Sequence, residues 1–320
     1  MTTSPSDGAH QTILVVGGRG FVGSHITRAL LDAGYHPHLL GPAMDCDLLA
    51  DVAGAIGETT GSVEDPALVR DVLARTKPAA VISCAAFGAG RDGLMRSGER
   101  DADRAFAVNV DGFRHLLEAA AAAGVRRVVW TSSTVVYGRA TDYGASPVDE
   151  AAIKRPRTIY GLTKHLAEEV AAFAMRRHGI EVVGLRLPLV LGPGLWYEGA
   201  AAALKTLLRA TRTAGNHHVS FHNDPIDLMH VRDVAAACLV ALRHNAPLDG
   251  IYNINGFTAS VSDMVKLLAV RQPSLHVTHA IAPPGDLFPL ISDAHFRRDT
   301  GFAPAIDLAG LIDDIASAKE

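Results

Sequence analysis

Apolar residues fall along the chain in two alternating rhythms. Short runs dominated by consecutive apolar residues predict strands at Ile13–Val16, Tyr35–Leu40, Ala80–Ala86, Arg126–Thr131, Glu181–Leu187 and Gly250–Asn255, with a shorter one at Thr59–Val63. Between them, apolar residues recur at the three- and four-residue spacing of a helical face. Ser24–Ala33 is one such helix, ended by Gly34. Pro66–Arg75 is a second, with Leu68 and Val72 inward and Val69 and Leu73 beside them. Asp101–Ala123 is a third, faced by Phe106, Val110, Phe113 and Leu117, and a fourth begins at Tyr160 with Leu166, Val170 and Phe173 as its packing face. Leu48–Ile56 reads as a short helix or loop, and Phe87–Glu99 and Arg139–Arg157 read as surface loops. Later segments predict helices at Ala200–Arg209, Asp233–Arg243 and Ser260–Leu268, the last capped by Ser260 or Ser262, and a strand at His276–Ala282 followed by an irregular loop, Pro283–Asp293.

The first strand runs directly into Gly17-Gly18-Arg19-Gly20-Phe21-Val22-Gly23 and then into a helix. Glycines at 17, 20 and 23 allow a sharp turn and a close approach of backbone to a diphosphate. The amides at the start of the helix then face that negative charge.

Composition narrows the function classes. A chain of 320 residues, 48% of them apolar, holds one large domain or two modest ones. The formal charge of −4 is interspersed, with no basic block for nucleic acid. No apolar run reaches the length of a membrane span, and Met1–Gln11 is polar, which predicts a disordered tail rather than a signal peptide. Cys46, Cys84 and Cys238 form no paired motif and read as reduced thiols of a cytoplasmic protein, Cys84 as a core thiol. His217, His218 and His222 lack a cysteine or carboxylate at ligand spacing, so they are expected to be solvated or substrate-facing, and no metal is expected.

Three further motifs follow in order. Ser132-Ser133-Thr134-Val135-Val136-Tyr137-Gly138 leaves the fifth strand, Tyr160-Gly161-Leu162-Thr163-Lys164 places a tyrosine and a lysine on one helical face, and Val108-Asn109-Val110-Asp111-Gly112 lies in the preceding long helix. With the glycine loop, this set resembles the extended short-chain dehydrogenase/reductases, the NAD-dependent epimerase/dehydratase family. The resemblance runs from Thr12 to about Ala316. It implies a doubly wound parallel α/β Rossmann sheet with a smaller C-terminal substrate lobe. The dinucleotide domain would comprise residues 12–190 with 226–258, and the substrate lobe 191–225 with 259–320. It also implies Ser133, Tyr160, Lys164 and Asn109 as the catalytic set, with Asn109 bending its helix and holding a water near the lysine. Gly17, Arg19, Gly20, Phe21, Val22, Gly23, Ala85, Ala86, Pro188 and Val190 would line the cofactor, together with Asn109, Tyr160 and Lys164. Ser133, Thr134 and Tyr160 would meet the substrate. Members often pair through the two helices that include Asp101–Ala123 and Tyr160–Arg177, so a homodimer is expected.

The chemistry follows from the side chains. A tyrosine titrates near pH ~10, and a neighbouring ammonium together with the nicotinamide cation of an oxidised cofactor favours its phenolate. Tyr160 would then exchange a proton with a substrate oxygen that Ser133 steadies. Lys164 would also hold the cofactor ribose. The cofactor is NAD or NADP. The acid that usually follows the second strand is replaced by Gly41, and Arg19 stands in the glycine loop, which together tilt toward NADP, although Asp45 is placed to reach round. Gly61-Ser62-Val63-Glu64-Asp65 also departs from the family aspartate near the adenine.

Two departures bear on substrate. Leu189 stands where nucleotide-sugar enzymes often carry an asparagine, and Ile226 where they carry an arginine for diphosphate. The favoured expectation is an NAD(P)-dependent dehydrogenase or reductase acting on a small hydroxy or carbonyl compound, sugar-acid or polyol-like. A sugar 4-epimerase with tightly held NAD is the alternative. Dehydration ranks lower because Thr134-Val135 replaces an Asp-Glu pair, and a catalytically silent nucleotide-binding regulator ranks lowest because Tyr160 and Lys164 are both present.

Overall fold

The computed structural model describes residues 11–44, 47–199, 202–209, 215–283 and 287–317. Nearly all of the expected N-terminal tail, and Asp45 and Cys46, lie outside the described residues. The first half of the chain runs β1 (Thr12–Val16), α1 (Phe21–Asp32), β2 (His36–Gly41), β3 (Gly57–Thr60), α2 (Pro66–Thr76), β4 (Ala80–Ser83), α3 (Leu94–Arg100), α4 (Ala102–Phe106), α5 (Phe113–Ala122) and β5 (Arg127–Ser133). There follow α6 (Ile159–His178), β6 (Glu181–Leu187), β7 (Leu189–Leu191), α7 (Ala202–Arg209), β8 (Gly215–Phe221), β9 (Ile226–His230) and α8 (Val231–Arg243). The chain ends with β10 (Ile251–Asn253), β11 (Phe257–Ala259), α9 (Val261–Arg271), β12 (Leu275–Ile281), α10 (Ala294–Thr300) and α11 (Leu308–Ser317).

Seven parallel strands form the large sheet in the order β10-β6-β5-β4-β1-β2-β3. Its central strands are apolar throughout because both faces are covered. On one side Ile13, Val15, Ile82 and Val183 pack with Ile26 and Leu30 of α1 and Val234 and Cys238 of α8. On the other, Leu14, Val16, Val81, Val128 and Val182 pack with Val69 and Val72 of α2, Leu116 and Leu117 of α5 and Ala167 and Ala171 of α6. The strand order reverses between β1 and β4, which opens a crevice at their carboxyl ends.

The later segments build a second cluster. A three-stranded sheet, β11-β9-β7, and a parallel pair, β12-β8, pack with α7, α9 and α11 around Leu204, Leu228, Met264 and Leu311. Phe21, at the start of α1, belongs to this cluster and so ties the glycine loop to it. No helix among the described residues is long and apolar enough to cross a membrane.

Three expectations are corrected. The loop expected over Phe87–Glu99 contains most of α3. The single helix expected over Asp101–Ala123 is interrupted by a π-helical segment, Ala107–Gly112. Its wider turn rephases the buried face, which is Ala105, Asn109, Gly112, Phe113, Leu116 and Leu117, while Phe106 and Val110 are only half-buried. In α6, Leu166 and Val170 are half-buried and Phe173 is 56% exposed. The inward face is Tyr160, Thr163, Lys164, Ala167, Glu168, Ala171 and Ala174, because this helix turns its polar residues to the site and its small ones to the sheet.

Candidate active site

The crevice begins at the glycine loop. Gly17 adopts φ +79°, and a Cβ there would lie 2.9 Å from the Ala85 nitrogen. A Cβ on Gly23 would lie 2.1 Å from the Gly17 carbonyl oxygen, so only glycine lets α1 pack on the loop this closely. No side chain among the described residues caps the start of α1. Its first-turn amides are left for an external anion, and the cradle fits a dinucleotide diphosphate. Ala85 and Ala86 follow β4 across from the loop. Pro188 and Val190 follow β6, and Val190 packs against the cores of both sheets.

Ser133 ends β5, and α6 places Tyr160 and Lys164 one turn apart on its inward face. The Tyr160 hydroxyl lies close enough to Ser133 for that side chain to favour its phenolate. Lys164 Nζ donates to the Thr131 carbonyl at 2.7 Å and lies 5.5 Å from the Trp130 ring and 5.8 Å from the Tyr160 ring. Lys164 is only 3% exposed, and burial pulls its ammonium down to about 8. Burial also pushes the Tyr160 phenol above its ordinary value. In the protein by itself, desolvation keeps the Tyr160 phenol protonated; the phenolate is expected with both Lys164 and the cation of an oxidised nicotinamide beside it.

Asn109 sits in the π segment. Its Oδ1 accepts from the Phe87 amide at 2.8 Å, and its Nδ2 donates to Thr163 Oγ1 at 2.9 Å. It thus fastens the loop after β4 to the helix that carries Tyr160 and Lys164. A cavity of about 10 Å³, the size of one water, is lined by Ser83, Asn109, Trp130 and Lys164 among others. Thr134 adjoins Ser133 at the first position of a short 3₁₀ turn. Ser132 faces elsewhere: its Oγ donates to Glu168 Oε1 at 2.7 Å.

That carboxylate is the centre of a network that sequence reasoning missed. Arg186, fully buried, donates to Glu168 Oε1 and Oε2 at 2.8 and 2.7 Å and to the Tyr137 hydroxyl at 2.6 Å. Tyr137 Oη in turn lies 2.9 Å from Asn253 Oδ1 of β10. The network locks the end of β5 to α6 and β6. Its one sequence signal was Glu168 lying four residues beyond Lys164.

Tyr197 was also missed. Its ring meets Phe21 edge-on at 6.2 Å, and its phenol is close enough to Tyr160 to perturb it. Lys205 of α7 holds the Trp196 and Tyr197 carbonyls at 2.8 and 3.2 Å. Burial pushes the Tyr197 hydroxyl up to about 12, so it stays a neutral donor at physiological pH.

Leu189 and Ile226 begin neighbouring strands of the small sheet, Leu189 opposite Leu228, and both pack on the apolar cluster there. Two of the three histidines lie beside local side chains: His218 Nδ1 is 3.0 Å from Thr278 Oγ1, and His222 Nδ1 is 3.6 Å from Asp224. Cys84 is half-buried, and burial pushes its thiol up to about 12, which suits an inert thiol. Arg19 differs from expectation. Its guanidinium is engaged by Glu58 and Asp47.

The family model of the NAD-dependent epimerase/dehydratase family matches residues 13–255. The chain belongs to this family. It is an enzyme of the epimerase and dehydrogenase type. UDP-glucose 4-epimerase of Rhizobium leguminosarum bv. trifolii is 28% identical over 325 residues, covering 95% of this chain and 96% of that protein. D-erythronate dehydrogenase of Cupriavidus necator is 28% identical over 273 residues, covering 80% of each. Among solved structures, UDP-glucose 4-epimerase of Thermus thermophilus in complex with NAD superposes with a TM-score of 0.79 at 24% identity, covering 96% of this chain and all of that one. That last likeness supports the fold.

Proposed function

We propose that this enzyme is an NAD(P)-dependent oxidoreductase acting on a small hydroxy or carbonyl compound, of the sugar-acid or polyol kind. The observation that carries this reading is Tyr160 brought beside Ser133, with Lys164 one turn on, next to a glycine cradle shaped for a diphosphate. The nicotinamide, when bound, gives or takes the hydride. Tyr160 donates its proton to the carbonyl oxygen in reduction and receives it from the hydroxyl in oxidation. Ser133 donates to the same oxygen and steadies its charge. Lys164 holds the cofactor ribose and, as an ammonium, favours the phenolate when oxidation requires it. Asn109 fixes the helix turn on which this geometry depends. The apolar Leu189 and Ile226 support a substrate without a nucleotide diphosphate, since neither replaces a donor to phosphate oxygens.

On this reading the dinucleotide lies on residues 12–190 with 226–258 and the substrate against 191–225 with 259–320, in a cytoplasmic protein. A homodimer is supported by the groove of about 310 Å³ between α5 and α6, lined by Val110, Leu117, Leu166, Val170 and Phe173. The D-erythronate dehydrogenase relative supports the small-substrate reading, and the UDP-glucose 4-epimerase relatives support the alternative of an internally recycled NAD.

The test is a purification without added cofactor, mass identification of any nucleotide released on denaturation, and turnover of a panel of sugar acids and polyols. An emptied site with exchangeable binding, and turnover lost in Tyr160→Phe while NADH still binds, is the expected result. Stoichiometric NAD that does not exchange would favour the epimerase, and turnover retained in Tyr160→Phe would sink the mechanism.

A further inference from the structure

Arg19 is the one charged residue of the glycine loop, and each of its three side-chain nitrogens donates to a carboxylate. Its Nε and Nη2 donate to the two oxygens of Glu58 at 2.5 and 2.6 Å, and its Nη1 donates to Asp47 Oδ1 at 2.8 Å. The three side chains come from three separate segments: the turn after β1, the loop after β2, and β3. Glu58 lies in β3 opposite Leu39 of β2. The glycine loop reaches the end of β2, where the Gly17 amide donates to the Leu40 carbonyl at 2.8 Å; this is the place at which a Rossmann fold receives the adenosine ribose. The residue that ends β2 is Gly41, which offers no side chain, and a Cβ there would lie 3.8 Å from the glycine-loop backbone at Gly17.

The charges decide what this place accepts. One guanidinium against two carboxylates leaves a net charge of −1, and both oxygens of Glu58 already accept from Arg19. The pairing holds Glu58 below the usual carboxylate range and Arg19 above its own, so both stay ionised at physiological pH. A ribose hydroxyl donates a hydrogen bond to a carboxylate. A 2′-phosphate has at most one proton to offer and brings its own negative charge.

We propose that Glu58 and Asp47, braced by Arg19, are the cofactor-specificity residues of this enzyme, selecting NAD over NADP in place of the acid missing at Gly41. The proposal rests on the reading that the chain binds a nicotinamide dinucleotide. It reverses the tilt toward NADP that an unpaired Arg19 gives the sequence.

The test titrates the full-length protein with NADH and NADPH, following nucleotide fluorescence. Wild type is expected to bind NADH more tightly by about 100-fold at low salt, with the gap narrowing as salt rises. Glu58→Gln combined with Asp47→Asn leaves Arg19 unpaired at nearly unchanged shape, and NADPH binding is expected to tighten by about tenfold or more while NADH binding weakens. NADH binding by the double variant, together with an unchanged melting temperature, reports that it is folded. Wild type binding NADPH as tightly as NADH, or an unchanged preference in the double variant, overturns the proposal alone. Binding of neither nucleotide by wild type overturns the dinucleotide reading itself and this inference with it.

Discussion

Replacing Lys164 by Met is expected to make the protein more stable at neutral pH while removing its turnover. The side chain is 3% exposed, and its single hydrogen bond among the described residues is to the Thr131 carbonyl. Glu168, the carboxylate nearest along the helix, is committed to Arg186 and Ser132. Desolvation therefore dominates and brings the ammonium from 10.5 down to about 8. Each tenfold change in proton affinity is worth about 1.4 kcal/mol, so the buried charge costs the fold about 3 kcal/mol at pH 7. Methionine keeps the apolar stem and drops the charge, but it leaves the Thr131 carbonyl without its donor, at a cost of about 1 kcal/mol. The net gain expected at pH 7 is about 2 kcal/mol.

The pH dependence carries a sign that packing alone would not produce. Below about pH 8 both folded and unfolded chains hold the proton on Lys164, and the full penalty stands. Between about 8 and 10.5 the folded chain has released that proton while the unfolded chain retains it, so wild-type stability rises with pH through this window. Above 10.5 the lysine is neutral in both states and the penalty is gone. Urea unfolding of the two cofactor-free proteins at pH 7 and pH 10 measures this. The other cysteines and tyrosines that titrate in the same range are common to both proteins, and Cys84, which interacts with Lys164, is replaced by alanine in both. A methionine variant no more stable than wild type at pH 7, or a difference that stays constant with pH, would refute the reasoning.

Two other perturbations follow from the same geometry. Glu168→Gln leaves the Arg186 guanidinium buried without its counter-charge, so unfolding free energy should fall by about 3 kcal/mol or more, whereas Glu168→Met with Arg186→Met should recover most of the loss. Tyr197→Phe removes a hydroxyl that no described residue bonds, so the urea midpoint should hold. If that hydroxyl meets substrate, KM should rise about fivefold with kcat nearly unchanged.

The large sheet was legible because parallel strands covered on both faces read as apolar runs. The Ser133, Tyr160 and Lys164 set was legible because its spacing is local to one strand end and one helix turn. What escaped was of two kinds. The π segment at Ala107–Gly112 carries the same apolar content as a regular helix, and only its extra backbone residue rephases the face, which periodicity does not register. The inward face of α6 was misread for the opposite reason: at a site, Lys164 and Glu168 are buried and Phe173 is not, so the largest apolar residues point away from the core. Partners far along the chain were invisible as well. Glu58 lies 39 residues from Arg19, and nothing local marks it as the group that neutralises a loop arginine.

The substrate end brings these strands of argument together. Glu198 donates its amide to the Arg91 carbonyl at 2.7 Å, and Asp92 and Glu198 form a β-bridge, so the loop after β4 and the segment after β7 are joined near the mouth of the site. Asn109 holds the first of these loops at Phe87, and Lys205 holds the second at Trp196 and Tyr197. Both anchors are side chains from helices, and both act on backbone, so the joined segments are fixed independently of any ligand. On the proposed function, a substrate entering beneath them meets the hydroxyls of Ser133, Tyr160 and Tyr197. On that reading, hydroxyls in that number suit a compound with several oxygens. On the proposed function the polarity then gathers at the reacting end, so a small polyhydroxy acid should be turned over and a UDP-sugar should not; turnover of UDP-glucose by the purified protein would overturn that distinction.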